Sequence, residues 1–553
     1  MTHKSIKLEP FSKKANTVFH VVLVIAAAAG LVFFILQYDN VSPMASVDFK
    51  ISRNQAVETA EIYFREMGYD LNGYERTIVF ETDYDTSFYF EKTFGTAKAN
   101  ELMRTKAPTR YWLVRWFKPL QKEEFSLAVT PSGIIHSFSH MLSKDEPGAK
   151  LPHTRAREIA VSFLETKEKI SLDNYEVRSS NFEKRDNRAD HFFTWQDKYF
   201  NMGNAKLCMD VKVYGDKVGY FNRTWTDIPE NFTRAFNKER SHARLLTRVS
   251  FGLKGILCLC SFFTMMWMYK HRTLQIRLVA WISSIIFLLL LLNILNYTPL
   301  FKNYYQTSQQ YHVFFFNRLL SEIQFYFQFL LLFIVAALAG EAVSKEVWGG
   351  QKLLCSDIPE KWISLMHSSF RGICISLFGL GYITFFILSA KKLGAWYPLS
   401  EPYRNILNTR LPLLDPLLDG VFPAFSEETL SRLFSISFLL FLTKRKWPAL
   451  VIPAVIWAFC HSWYLTSPVY LRGIELTVKG IIYGYIFMKF DIITVIMAHF
   501  SYNAVLGSIP LLRSDNLYIF SCGLSVVGFI LLPLIPGICQ FLKLKLSLRD
   551  KGQ

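Results

Sequence analysis

The sequence predicts a mostly α protein: a polytopic membrane helix bundle of about ten spans carrying an α+β extramembrane insert made of two repeats. Two observations carry this. Half of the 553 residues are hydrophobic, with 49 Phe and 26 Tyr, which is too apolar for a soluble protein of several domains. The apolar runs are also confined to the two sides of a polar stretch from residue 38 to about 246, so one soluble unit is inserted between membrane segments.

In chain order, residues 1–37 read as a tail with Lys4, Lys7, Lys13 and Lys14 followed by an apolar run from Thr17 to Leu36, long enough to cross a bilayer. The run lacks a small-residue cleavage signal, so it is expected to be an uncleaved anchor with its amino terminus in the cytoplasm. Residues 38–246 are then extracytoplasmic. In them Gln55–Ala60 leading to Gly73-Tyr74-Glu75 is echoed by Ala156–Ala160 leading to Asn174-Tyr175-Glu176, each a helix start followed by strand-like alternation. Two α+β units, about 50–150 and 151–246, each a helix on its own small sheet, are expected, with no catalytic cluster among them.

Residues 247–400 and 401–541 hold the remaining expected spans, near 249–269, 278–298, 319–340, 370–390, 417–442, 447–466, 473–490, 492–512 and 517–540, and 542–553 form a basic cytoplasmic tail. With the amino terminus inside, Lys270/Arg272/Arg277, Lys345/Lys352/Lys361, Lys444/Arg445/Lys446 and Lys543/Lys545/Arg549 all fall in the cytoplasm, whereas Lys391, Lys392, Arg404 and Arg410 fall outside. The stretch Glu341 to Arg371 mixes Trp348, Leu353, Leu354, Ile358 and Trp362 with charges, as a helix on the membrane surface or a packed loop would. The formal charge of +17 lies beside the ends of apolar runs, which points to lipid headgroups and not to nucleic acid. Eight cysteines, only Cys208 of them in the insert, imply no disulfide framework.

The chemistry concentrates in three stretches. Phe425-Ser426-Glu427-Glu428-Thr429-Leu430-Ser431-Arg432 places two carboxylates and an arginine in an apolar helix, where ionisable groups are expensive and face a partner or a cavity. Glu428 and Arg432 are one turn apart and can pair; Glu427 points about 100° away and is left free. Trp457-Ala458-Phe459-Cys460-His461 supplies a histidine, and His499 with Asn503 puts a second histidine and an amide on one helix face.

Together these stretches resemble the motifs of the CPBP intramembrane protease family, which includes the CAAX prenyl endopeptidases and the bacteriocin-processing or abortive-infection-like bacterial proteins. That pattern is Glu-Glu-x-x-x-Arg, Phe-x-x-x-His and His-x-x-x-Asn or Asp on successive membrane helices. The chain departs from it with Trp457 where the family has Phe, and with Ser431 and Leu433 beside Arg432 where Phe and Gly are common; all three read as packing positions. The resemblance implies an endopeptidase of the bacterial plasma membrane acting on a membrane-anchored protein or peptide. It implies Glu427 as general base, His461 as the residue that holds the water and passes on a proton, His499 and Asn503 as oxyanion donors, and Glu428 with Arg432 as support. No cofactor is expected on this reading.

Taken singly, each motif has a plainer explanation. Glu428 with Arg432 can be a structural pair, His461 an interfacial residue, and His499 with Asn503 an interhelical hydrogen bond. A metal-dependent protease using a divalent ion such as zinc on the same acids and histidines is one alternative, although Arg432 would compete with a cation. A non-enzymatic immunity or scaffold protein is another. Counting about 1.5 Å per residue from the expected cytoplasmic ends puts Glu427 about 25 Å, His461 about 21 Å, Asn503 about 18 Å and His499 about 12 Å deep, so one shared site would lie from the middle to the outer half of the bilayer.

Overall fold

The computed structural model describes residues 13–43, 50–200, 202–271, 274–349, 361–399 and 406–550, together with Val47 and Lys352. The expectations for Lys4, Lys7, Leu353, Leu354, Ile358 and Arg404 lie outside these residues. A first helix, α1 (Lys13–Val41), leads into the insert, and the helices from α6 (Glu230–His271) onwards form the bundle.

The insert opens with α2 (Arg53–Glu66), closed at its start by a capping box in which Ser52 and Gln55 satisfy each other's backbone N–H groups. Strand β1 (Glu75–Thr82) is followed by α3 (Tyr84–Phe94) and α4 (Thr96–Thr105), then by β2 (Arg110–Phe117), β3 (Glu124–Val129) and β4 (Ile135–Met141). After α5 (His153–Ser162) come β5 (Tyr175–Lys184), β6 (Ala189–Asp197), β7 (Lys206–Tyr214) and β8 (Lys217–Asp227). The eight strands form one antiparallel sheet in the order β1-β2-β3-β4-β8-β7-β6-β5. The expectation of two separate sheets is therefore corrected: β4 pairs with β8, with Phe138 opposite Phe221, and one apolar core spans both halves. A single core buries more apolar surface than two small ones would, because each four-strand half is too small to cover its own face.

The bundle continues with α7 (Ile276–Asn296), α8 (Thr298–Asn303), α9 (Tyr311–Trp348), α10 (Lys361–Lys392), α11 (Leu414–Glu428), α12 (Ser435–Thr443), α13 (Lys446–Phe459), α14 (Leu471–Lys489), α15 (Ile492–Leu512), α16 (Leu517–Leu531) and α17 (Ile535–Asp550). Among the described residues seven helical stretches are long and apolar enough to cross a membrane, fewer than the ten expected: α1, α6, α7, α9, α10, α15 and the α16–α17 run. The three that fall short are α11–α12, which carries Asp415, Asp419, Glu427, Glu428 and Arg432; α13, at 14 residues; and α14, which carries Arg472, Glu475 and Lys479. The surface helix expected from Glu341 is not present over 341–348, where α9 runs on unbroken with Glu341 and Trp348 buried.

Insert and bundle are bonded to each other. Arg115 donates to the carbonyls of Asn303 and Tyr305, both at 2.8 Å, and Lys302 pairs with Glu75 at 2.7 Å. The Asn408 amide acts as an extra strand residue beside β1, accepting from Phe80 N–H at 2.5 Å and donating to its carbonyl at 3.1 Å. Lys391 at the end of α10 donates to Asn40 O at 2.6 Å and to Thr96 Oγ1 at 2.8 Å. Asn408→Ala would leave two backbone groups of β1 unpaired in a buried seam, a cost of about 1–3 kcal/mol. A lower midpoint in thermal unfolding of the purified protein is the expected result, and an unchanged midpoint would mean that Asn408 does not hold the insert in place.

Candidate active site

Helix α11 does not run on as an ordinary α-helix. At Thr429–Phe434 it widens into a π segment, with Ser435 Oγ donating to the Leu430 carbonyl five residues back at 2.7 Å. Widened turns of this kind are rare and gather at functional sites. Here one holds Arg432 about one turn from Glu428, with Arg432 Nε 3.1 Å from Glu428 Oε2 and Nη1 donating to Oε1 at 3.3 Å. Both side chains are enclosed, at 1% and 0% exposure.

The remaining faces of this pair are covered by three other helices. From α15, His499 Nδ1 lies 2.7 Å from Glu428 Oε1. From α13, the Trp457 ring lies 4.3 Å from the Arg432 guanidinium carbon, and from α14 the Tyr483 ring lies 5.7 Å from it. Gly480 permits this approach, because a Cβ there would come within 3.0 Å of Ala454 Cβ and 3.3 Å of Arg432 Nη2. As an acceptor only, the Glu428 carboxylate fixes the His499 tautomer: Nδ1 carries the hydrogen and Nε2 faces the other way.

Glu427 points to a different neighbour, α13. Trp457 Nε1 donates to Glu427 Oε2 at 2.5 Å, and His461 Nε2 lies 3.9 Å from the same oxygen. His461 Nδ1 lies 2.9 Å from the Trp457 carbonyl, which turns its Nε2 towards Glu427. The Glu427 and His461 side chains are each 19% exposed, so this half of the site is open where the Glu428 half is closed. Glu428 is thus paired with Arg432, while Glu427, expected to be free, is held by the Trp457 indole and faces His461.

Asn503 lies one turn beyond His499 on α15, with its Nδ2 3.5 Å from the Asp419 carbonyl of α11. That carbonyl lacks its usual helical donor four residues on, which is Pro423. Gly420 lets α11 and α15 meet at this level, since a Cβ there would lie 2.9 Å from the Phe500 carbonyl oxygen. His499 and Asn503 are accordingly on one helix but bonded to different parts of α11.

Sequence reasoning missed Trp457. Treated as a packing position, it is a hydrogen-bond donor to one glutamate and a π face for the arginine paired with the other; the signal was the departure from Phe itself. It also missed a second buried network on α14, in which Arg472 donates to Glu475 at 2.8 Å and to the Tyr397 hydroxyl at 3.1 Å, and Tyr397 donates to Glu475 at 3.2 Å. One turn on, the Lys479 ammonium lies 3.2 Å from the Tyr502 ring centre.

Glu428 and His499 are spent on each other and on Arg432, and among the described residues no three His, Cys, Asp or Glu side chains converge as ligands would.

These helices and this glutamate–histidine centre define an integral membrane protein whose polar site is built from α11 and α13, too polar or too short to pass as lipid spans, together with α15, which is apolar enough to be one. Residues 409–505, which contain all six candidate site residues, match the family model described as type II CAAX prenyl endopeptidase Rce1-like, so this part of the chain is similar to a family of membrane peptidases. Over 496 residues the chain is 20% identical to the sporulation-killing factor biosynthesis protein SkfC of Bacillus subtilis (strain 168), covering 88% of this chain and 94% of that protein. No solved structure matches.

Arg432→Ala strands Glu428 as a buried, half-compensated charge and is expected to cost about 3–5 kcal/mol. The double variant Glu428→Gln with Arg432→Met removes both charges and should be the more stable of the two in a side-by-side thermal unfolding experiment. The reverse order would show that the pair is not what these side chains are held for.

Proposed function

We propose that this chain is an intramembrane endopeptidase that hydrolyses a peptide bond in a membrane-anchored protein or peptide through a water activated by Glu427. The observation that carries this reading is the asymmetry of the two glutamates: Glu428 is sealed against Arg432 and His499, while Glu427 is partly exposed, with its Oε2 3.9 Å from His461 Nε2. Atoms at that separation can share one water.

In this mechanism Glu427 takes a proton from the water, and the oxygen attacks the scissile carbonyl carbon. The indole N–H of Trp457 holds the Glu427 carboxylate in one orientation, leaving its remaining lone pairs for the water. The oxyanion is met by Asn503 and His499, the latter held in place by Glu428; donors fixed in advance in a dry site are effective at this step. Collapse of the tetrahedral species breaks the C–N bond, and the proton reaches the leaving amine through His461.

The same reading places the amino terminus in the cytoplasm of a bacterium, the insert outside, and the site in the outer half of the bilayer. Support for the last point comes from Arg240, near the start of α6, which donates to the carbonyl of Tyr464 at 2.9 Å and to that of Trp463, just past His461, so the His461 end of α13 lies on the insert's side. The name of the relative SkfC and its alignment along nearly its whole length favour a peptide precursor as substrate. The insert reads as a duplicated helix-and-meander unit, α2 with β1–β4 and α5 with β5–β8.

Glu427→Gln is expected to lose about 100-fold or more in turnover with folding retained, since it removes the base and keeps the shape. Proteomic comparison of membranes carrying the two forms should then show one or more intact precursors only with Glu427→Gln; identical peptide profiles would sink the assignment. Trp457→Phe keeps a ring over Arg432 but deletes the N–H to Glu427, so turnover should drop by about tenfold, in line with the loss of a hydrogen bond to a charged group, with little change in thermal midpoint. Full activity in that variant would show that the indole N–H does not orient the base.

A further inference from the structure

A cavity of about 430 Å³ lies at the seam between insert and bundle, away from the candidate active site. Its wall on the insert side is the first turn of α2 with Lys50, Arg53 and Trp112; its wall on the bundle side includes Arg410, Asp515 and Tyr518. Among the described residues three cations therefore face one carboxylate. Arg53 donates to the Ile78 carbonyl at 3.0 Å and Arg410 Nε to Thr298 Oγ1 at 2.8 Å, which fixes both guanidinium groups while leaving them other N–H groups. Burial first, and then the nearby Arg76, presses the Arg53 guanidinium below its usual value.

Two further features favour an anion. The 14-residue helix α2 turns its N-terminal end, the positive end of its dipole, to the cavity, with the Gln55 amide taken by its own capping box. Trp112 is 4% exposed, lines the cavity, and has no hydrogen-bond partner for its Nε1 among the described residues. A buried indole N–H without an acceptor costs free energy that an anionic oxygen would recover.

The position of the cavity names the source of that oxygen. It lies at the ends of two membrane-crossing helices, with Pro510 from the last turn of α15 and Asn516, the N-cap of α16, in its lining. Next to it Leu517 and Tyr518 are 81% and 52% exposed on the outer surface of α16, where acyl chains would run. We propose that this cavity binds the phosphate group of an anionic phospholipid from the leaflet on the insert's side. The site is independent of the peptidase reading.

The test uses the full-length protein in detergent, titrated with phosphatidylglycerol or phosphatidylcholine, with bound lipid counted by native mass spectrometry. Since each basic residue at a lipid surface contributes about fivefold, the wild type should retain phosphatidylglycerol at least about fivefold more strongly than phosphatidylcholine. Lys50→Glu, at an exposed side chain, should bring the two lipids level, and Asp515→Asn should strengthen phosphatidylglycerol retention further. These opposite shifts separate a charge effect from loss of fold. Equal retention of both lipids by the wild type, or unchanged retention by Lys50→Glu, would overturn the proposal. Millimolar inorganic phosphate is the arm that distinguishes the sources: no displacement supports the lipid, whereas full displacement of phosphatidylglycerol assigns the cavity to free phosphate and overturns the lipid assignment.

Discussion

The enclosed pair between Arg432 and Glu428 is the constraint to which the bundle conforms. Taking two charges out of water costs several kcal/mol for each ion, and their attraction recovers this only with close geometry and further hydrogen bonds. Four helices supply that geometry. The π segment sets the spacing, His499 of α15 takes one carboxylate oxygen at 2.7 Å, and Trp457 of α13 and Tyr483 of α14 present ring faces to the guanidinium. Each is fixed by a need of the pair, so the relative positions of α11, α13, α14 and α15 follow from it. Glu427 is aimed at His461 because its neighbour is not free to move.

This also explains why the polar helices are the poor spans. A helix that surrounds a buried ion pair is shielded from lipid by the others, so it can carry Asp415, Asp419, Arg472, Glu475 and Lys479 within the membrane-embedded bundle. The seven apolar stretches include α1, α6, α7, α9 and α10, together with α16–α17. The division is between an outer apolar layer and an inner polar one. Helix α15, three-quarters buried along its most apolar window yet apolar enough to count as a span, belongs to both.

Much of this was legible in the sequence because the signals are local. Long apolar runs located the middle of each long helix of the bundle, although α6, α9 and α10 extend well beyond the expected bounds and the short α8 was not expected, and the spacing of Glu428 and Arg432 gave their pairing. What was not legible depended on partners distant in sequence. The apolar stretch 447–466 reads as one span, but α13 stops at Phe459 and the chain turns through Cys460–Trp463; hydropathy cannot mark the end of a helix whose loop is also apolar. The π segment leaves no mark in composition. Trp457 looked like a larger Phe because the pattern ranks residues by bulk, whereas its contribution lies in one N–H directed at a carboxylate thirty residues away. The single sheet of the insert was hidden for the same reason, since the β4–β8 pairing joins segments about eighty residues apart and neither strand states its partner.

The insert and the site are joined by more than their common chain. Helix α6 leaves the insert at Glu230 and runs unbroken to His271, so residue 246 falls inside a rigid element and not at a hinge. Near its start, Arg240 holds the Trp463 and Tyr464 carbonyls that follow His461. About 21 Å further along the same helix, Lys254 acts electrostatically on both Glu427 and His461. Arg240 and Lys254 belong to one continuous helix. The turn that follows His461 and the Lys254 charge are thus referred to one element, and that element begins in the insert.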